Sequence, residues 1–147
     1  MSSVNLNQHP PRSPRVRLGG FVILPRLLDK CRATLNKANG DYHYDCPLDQ
    51  RFLTYMGVDS EALKAEVKKG SGDGEVLEWI HAHAQNPRSE LEIKLWSDFQ
   101  EKRAPATVEE REFFTKIHKS AAPHRSDIVT WFDLLDVDDF VSYSGKA

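Results

Sequence analysis

Leu24-Pro25-Arg26-Leu27-Leu28-Asp29-Lys30-Cys31-Arg32-Ala33-Thr34-Leu35 is the stretch that decides the fold. Leu24, Leu27, Leu28, Cys31 and Leu35 recur at the i, i+3, i+4, i+7 spacing of one helical face. Pro25 suits a first turn, where a missing N–H costs nothing. Gly19-Gly20 introduces the helix and Asn39-Gly40 supplies its stop. Arg26, Lys30 and Lys37 fall on the opposite side. The segment therefore predicts an amphipathic helix with a basic outer stripe.

The same period continues toward the C-terminus. Cys46-Pro47 opens a second helix to about Met56, with Leu48, Phe52, Leu53 and Met56 on its core side and Gly57 as its end. Asp59 caps a third helix through Lys69. Gly70-Ser71-Gly72-Asp73-Gly74 is a turn, and Asp73 is the expected cap of a fourth helix carrying Val76, Leu77, Ile80 and Ala84, closed by Asn86-Pro87. Ser89 with Glu92, and Thr107 with Glu110, are capping-box pairs. Leu91, Leu95 and Phe99 line one side of the fifth helix with Ile93 and Trp96 beyond, a stripe wide enough to predict a central helix. Phe113, Phe114 and Ile117 mark a sixth. A last helix, capped near Ser126, places Ile128, Trp131, Phe132 and Leu135 on one face, and Val137 to Ala147 has no clear period. Asp41 to Asp45 alternates polar and aromatic residues, which predicts a short extended piece. With no repeat and no alternating runs sufficient for a sheet, the expected fold is all-α: a compact bundle of about six to seven short helices, with at most one short extended segment.

Size and composition agree with one such domain. The chain has 147 residues, 39% of them hydrophobic and 29% charged, ordinary values for a globular protein. Two cysteines are too few for a disulfide scaffold. Residues 1–20 contain no apolar stretch of the signal-peptide kind. The longest apolar run, Phe21 to Leu24, is far short of the roughly 20 residues of a membrane span. A soluble, cytoplasmic protein is expected. Residues 1–17, polar and punctuated by Pro10, Pro11 and Pro14, read as a flexible basic arm; 18–140 form the domain and 141–147 a tail.

The net charge of −2 hides a gradient. Seven basic residues stand against Asp29 alone between Met1 and Gly40, whereas Arg125 and Lys146 face Asp127, Asp133, Asp136, Asp138 and Asp139 after Ser120. The arm either meets an anionic or acidic partner or folds back onto the acidic remainder. Nucleic acid is a poor fit, because only the first helix is basic and the rest would repel phosphates.

Cys46 is the sharpest candidate for chemistry. A cysteine at a helix N-terminus meets the positive end of the dipole, which favours the thiolate, and His43, Tyr44 or Asp49 could assist a nucleophile there. Asp45 and Asp49 oppose thiolate formation, and Asp49 is also explained as a dipole-complementing residue. Cys31 belongs to the core stripe. No metal site is expected: His81 and His83 lie about 200° apart on a helix, and the late aspartates lack the turn glycine and final glutamate of a calcium loop. The Gly19-Gly20 turn with Arg17, Arg26 and Lys30 resembles a simple anion site at a helix start, although the phosphate-binding glycine fingerprints are absent. The leading reading is a non-catalytic module binding an anionic small molecule or an acidic protein surface. The alternatives are a small enzyme using Cys46 as nucleophile, and a structural or oligomeric interaction protein.

Several strings together resemble one known family: Pro11-Arg12-Ser13-Pro14, Leu18-Gly19-Gly20, Leu24-Pro25-Arg26-Leu27-Leu28-Asp29-Lys30, Tyr44-Asp45-Cys46-Pro47-Leu48-Asp49, Glu75-Val76-Leu77-Glu78-Trp79-Ile80 and Trp131-Phe132-Asp133-Leu134-Leu135-Asp136. The chain is similar, from Ser13 to about Phe140, to a small bacterial family designated domain of unknown function 5069. That resemblance implies a stand-alone, predominantly helical bacterial domain, and carries no reaction, substrate, cofactor or catalytic residue with it.

Overall fold

The computed structural model describes residues 4–145, which fold into seven helices and no sheet. They are α1 (Leu24–Leu35), α2 (Pro47–Met56), α3 (Ser60–Lys68), α4 (Asp73–His83), α5 (Glu90–Lys102), α6 (Val108–Ala121) and α7 (Trp131–Ser142). The all-α reading holds, and Asp41–Asp45 forms turns rather than a strand. Among the described residues, no helix is long and apolar enough to cross a membrane.

Local chemistry fixes most helix ends. Gly57, in the left-handed conformation, terminates α2, and Asp59 accepts from the Ala62 N–H to start α3. Ser89 and Glu92 form the full reciprocal box of α5. At α6, Thr107 accepts from the Glu110 N–H, but its hydroxyl, not its backbone N–H, meets the Glu110 carboxylate. Two starts differ from expectation. Asp73 is the first residue of α4 rather than its cap, because its carboxylate is drawn to Arg12 and Arg32. The cap of α7 is Thr130, reciprocated by Asp133, so Ile128 is buried ahead of the helix and the helix runs on through Ser142.

The centre of the molecule is α1. Every residue from Phe21 to Ala33 is buried, including Arg26, Asp29, Lys30 and Arg32. It packs on α2 and α3, α3 on α4, and α7 on α5 and α6. Phe21, Leu24, Leu28, Phe52, Met56, Leu63, Ile80 and Phe132 belong to the main apolar cluster, and a smaller one around Phe114, Leu134 and Val137 lies between α6 and α7. A helix buried on all sides has no outer stripe. Arg26 and Lys30, expected at the surface, instead meet carboxylates brought from elsewhere, since an unpaired buried charge is too costly to keep, whereas Lys37 lies beyond the helix and is exposed as expected.

The opposite correction applies to α5. Its core side is Ile93, Trp96, Ser97 and Gln100, whereas Leu91, Leu95 and Phe99 are 65%, 58% and 60% exposed. The polar pair on the inner side is tied down: Ser97 donates to the Gly20 carbonyl and accepts from the Val22 N–H, and Gln100 accepts from Arg51.

The basic N-terminal segment folds back onto the domain. Leu6 and Pro11 are buried, and the Tyr143 hydroxyl donates to the Leu6 carbonyl, so residues 4–17 are held where a mobile arm was expected. Arg12 bridges Asp29 and Asp73, Arg15 pairs with Asp133 and Asp136, and Arg17 pairs with Asp98 and Glu101. Burial would push the Asp73 carboxyl up, but hydrogen bonds and charge from Arg12 and Arg32 outweigh it and hold the group below its ordinary value. A carboxyl depressed in the folded state contributes stability above its unfolded pKa of roughly 3.9 and loses it as pH falls through the folded value. The melting temperature should therefore drop on acidification below about pH 4. In Asp73→Asn that drop should be shallower from a lower starting point, as read by thermal melts across a pH series.

Candidate functional site

The nine residues singled out from the sequence do not form one site: three gather at the start of α2, three line the Gly19-Gly20 turn, and His43, Tyr44 and Arg26 stand apart from both. Cys46 occupies the N-cap position of α2 without a side-chain capping hydrogen bond, and Pro47 follows in the first turn. Asp45 adopts a left-handed conformation, φ 66°, a geometry an aspartate tolerates better than most residues. This turn aims the Asp45 N–H at Asp49 Oδ2, 3.0 Å away. Asp49 is fully buried at the start of α2. Its other oxygen faces Lys30 Nζ of α1 at 2.9 Å, and the same ammonium donates to Cys46 Sγ at 3.1 Å.

Lys30, Cys46 and Asp49 thus form one compact group in which Lys30 is only 3% exposed. Burial pushes the Asp49 carboxyl up, against the opposing effect of Lys30 and of the backbone N–H groups of Asp45 and Cys46. Cys46 is partly exposed. His43 is exposed, and Tyr44 turns to the Ser60 carbonyl, so neither enters the group. Cys31 is buried, and burial pushes its thiol up to about 12.

Arg17, Gly19 and Gly20 sit together at the Gly19-Gly20 turn. Leu18 and Phe21 exchange two backbone hydrogen bonds of 3.0 Å across it. Both glycines have positive φ, 59° and 85°, which side-chain-bearing residues rarely adopt. A side chain at Gly19 would also collide with Leu77. Arg17, Gly19 and Gly20 line a shallow depression of about 390 Å³ with Glu90, Ile93 and Lys94. Its cations are already bridged, because Asp98 accepts from Arg17 at 2.9 Å and from Lys94 at 2.7 Å. Arg26 lies elsewhere, forked onto Asp139 at 2.7 and 3.2 Å, with Tyr42 donating to the same carboxylate. Of the five residues read as an anion site, three share a depression, and Arg26 and Lys30 are enclosed in separate ion pairs.

The feature the sequence did not single out is the outer face of α5. Leu91, Leu95 and Phe99 stand one turn apart over its length, flanked by exposed Glu92 near the start and Lys102 at the end. The periodicity was legible; that it belonged to the surface was not, because Ile93 and Trp96 offered the core a second apolar side.

A family model described as a domain of unknown function (DUF5069) matches residues 8–141. No curated protein matches the chain.

Proposed function

The chain belongs to the DUF5069 family, and from that premise we propose that it is a non-catalytic interaction module whose docking face is the outer side of α5, with a second copy of itself as occupant. The observation that carries this reading is the exposure of Leu91, Leu95 and Phe99 on a helix otherwise anchored to the core. Large apolar side chains aligned along one helix are more than the scattered exposed hydrophobics of an ordinary surface.

A second copy suits the face because its charges are self-complementary. Glu90 and Glu92 lie at the start of α5 and Lys102 at its end. Two copies packed antiparallel, with Leu95 of one beside Phe99 of the other, bring Glu92 opposite Lys102, since these residues lie equally far from the midpoint of the Leu95–Phe99 pair. A two-fold interface makes every such contact twice. The Arg17–Asp98–Lys94 bridge runs along one edge of the stripe and keeps that edge polar.

Sedimentation equilibrium tests the reading. The wild type should dimerise at micromolar concentration. Leu95→Glu should weaken that association at least tenfold while leaving the monomer's melting temperature within a few degrees, because the side chain is largely exposed and surface changes usually cost under about 0.5 kcal/mol. A wild type that stays monomeric at high concentration overturns it. So does a Leu95→Glu dimer of undiminished strength.

A further inference from the structure

We propose that Lys30 and Cys46 are a modification site for peroxide, at which a single oxygen atom becomes a covalent N–O–S bridge between Lys30 Nζ and Cys46 Sγ. The two atoms are already in direct contact at 3.1 Å. Lys30 is enclosed by α1 and its neighbours, so its amine has little freedom to leave the sulfur. Cys46 is partly exposed at the end of α2, which gives a small oxidant access from solvent. Asp49 stands 2.9 Å from the same nitrogen. It is the base that can take the ammonium proton and free the nitrogen lone pair, and a carboxyl that burial already pushes upward is suited to hold that proton.

The chemistry balances with two equivalents of peroxide. The Cys46 sulfur attacks one peroxide oxygen, the O–O bond breaks, and a sulfenic acid and water result. The Lys30 amine, its proton passed to Asp49, attacks the second peroxide in the same way to give a hydroxylamine and water. The hydroxylamine oxygen then displaces hydroxide from the sulfenic sulfur, forming the S–O bond and a third water. Thiol and amine are both oxidised, and the two peroxides are reduced. The product carries one more oxygen and two fewer hydrogens than the starting protein, a mass change that distinguishes it from a sulfenic acid, which gains the oxygen without losing hydrogen. Cys31 provides an internal reference, since it is buried and has no such amine beside it.

The experiment is a peroxide titration of the full chain followed by intact-mass and peptide mapping. The expected result is the bridged mass, a peptide joining the segment around Lys30 to that around Cys46, and return to the original mass with dithiothreitol. Cys31→Ser should behave as wild type. Cys46→Ser should lose the product, and Lys30→Arg, which keeps the charge but not the primary amine, should give only oxidised sulfur. Should Lys30→Arg fail to fold, mapping of the wild type alone decides. Cys46 converted to sulfinic or sulfonic acid with Lys30 still open to amine reagents overturns the proposal. Cys46 left unmodified while peroxide oxidises methionine overturns it equally.

Discussion

Asp49→Ala is expected to destabilise the protein by about 3–5 kcal/mol, because it leaves the Lys30 ammonium buried without a counter-charge. The carboxylate also accepts from the Asp45 N–H, so the turn that presents Cys46 loses its anchor with it. For a domain of this size such a loss corresponds to roughly 10–20 °C in melting temperature. It is a large share of the 5–15 kcal/mol by which domains are typically stable. Lys30→Met/Asp49→Leu should recover most of the loss, since a buried pair replaced by apolar side chains of similar volume is often neutral or better. Denaturant unfolding of Lys30→Met, Asp49→Leu and the double variant measures this as a coupling energy. A double variant as unstable as Asp49→Ala would show that the loss arises from packing around α2 and not from the stranded charge.

Asp139→Ala is the second large effect, again about 3–5 kcal/mol. Asp139 is 7% exposed and receives both Arg26, 3% exposed, and the Tyr42 hydroxyl. The fork joins α7, the last helix, to α1, the central one. Removing the carboxylate leaves a guanidinium in the interior and a phenol without its acceptor. Asp138, one residue earlier and exposed, is the matched control: Asp138→Ala should change stability by no more than about 0.5 kcal/mol. Equal losses in the two variants would mean that α7 is sensitive to any change there, and the buried fork would lose its special standing.

These pairs show why part of the fold was legible and part was not. Helix number and most helix ends are written in neighbouring residues. Gly57 stops α2, Asp59 starts α3, and Ser89 with Glu92 starts α5, each by a contact within a few positions along the chain. Which side of a helix faces inward is decided by residues far away. Leu91, Leu95 and Phe99 made as good an inner stripe as Ile93 and Trp96, and only the surface offered by Phe21, Phe52 and Tyr55 chose between them by taking Trp96. Arg26 and Lys30 looked like a solvated stripe because nothing near them in sequence neutralises them; their partners are Asp139 and Asp49. At the candidate site, the closeness of Cys46 and Asp49 followed from helical spacing. The arrival of Lys30 between them did not, although a charged side on a helix followed by many acids is the signal that could have raised it.

The central position of α1 has a consequence for the order of events during synthesis. This helix leaves the ribosome before the partners of its cations exist: Asp49 comes soon after it, Asp73 later, and Asp139 last of the three. Until each arrives, a nascent chain that collapsed around α1 would trap a bare cation in its interior. The early segments should therefore stay loosely gathered and hydrated, and the interior should seal only when α7 is delivered. A fold whose most enclosed helix precedes every partner of its cations must in this way wait for the last of them before it can close.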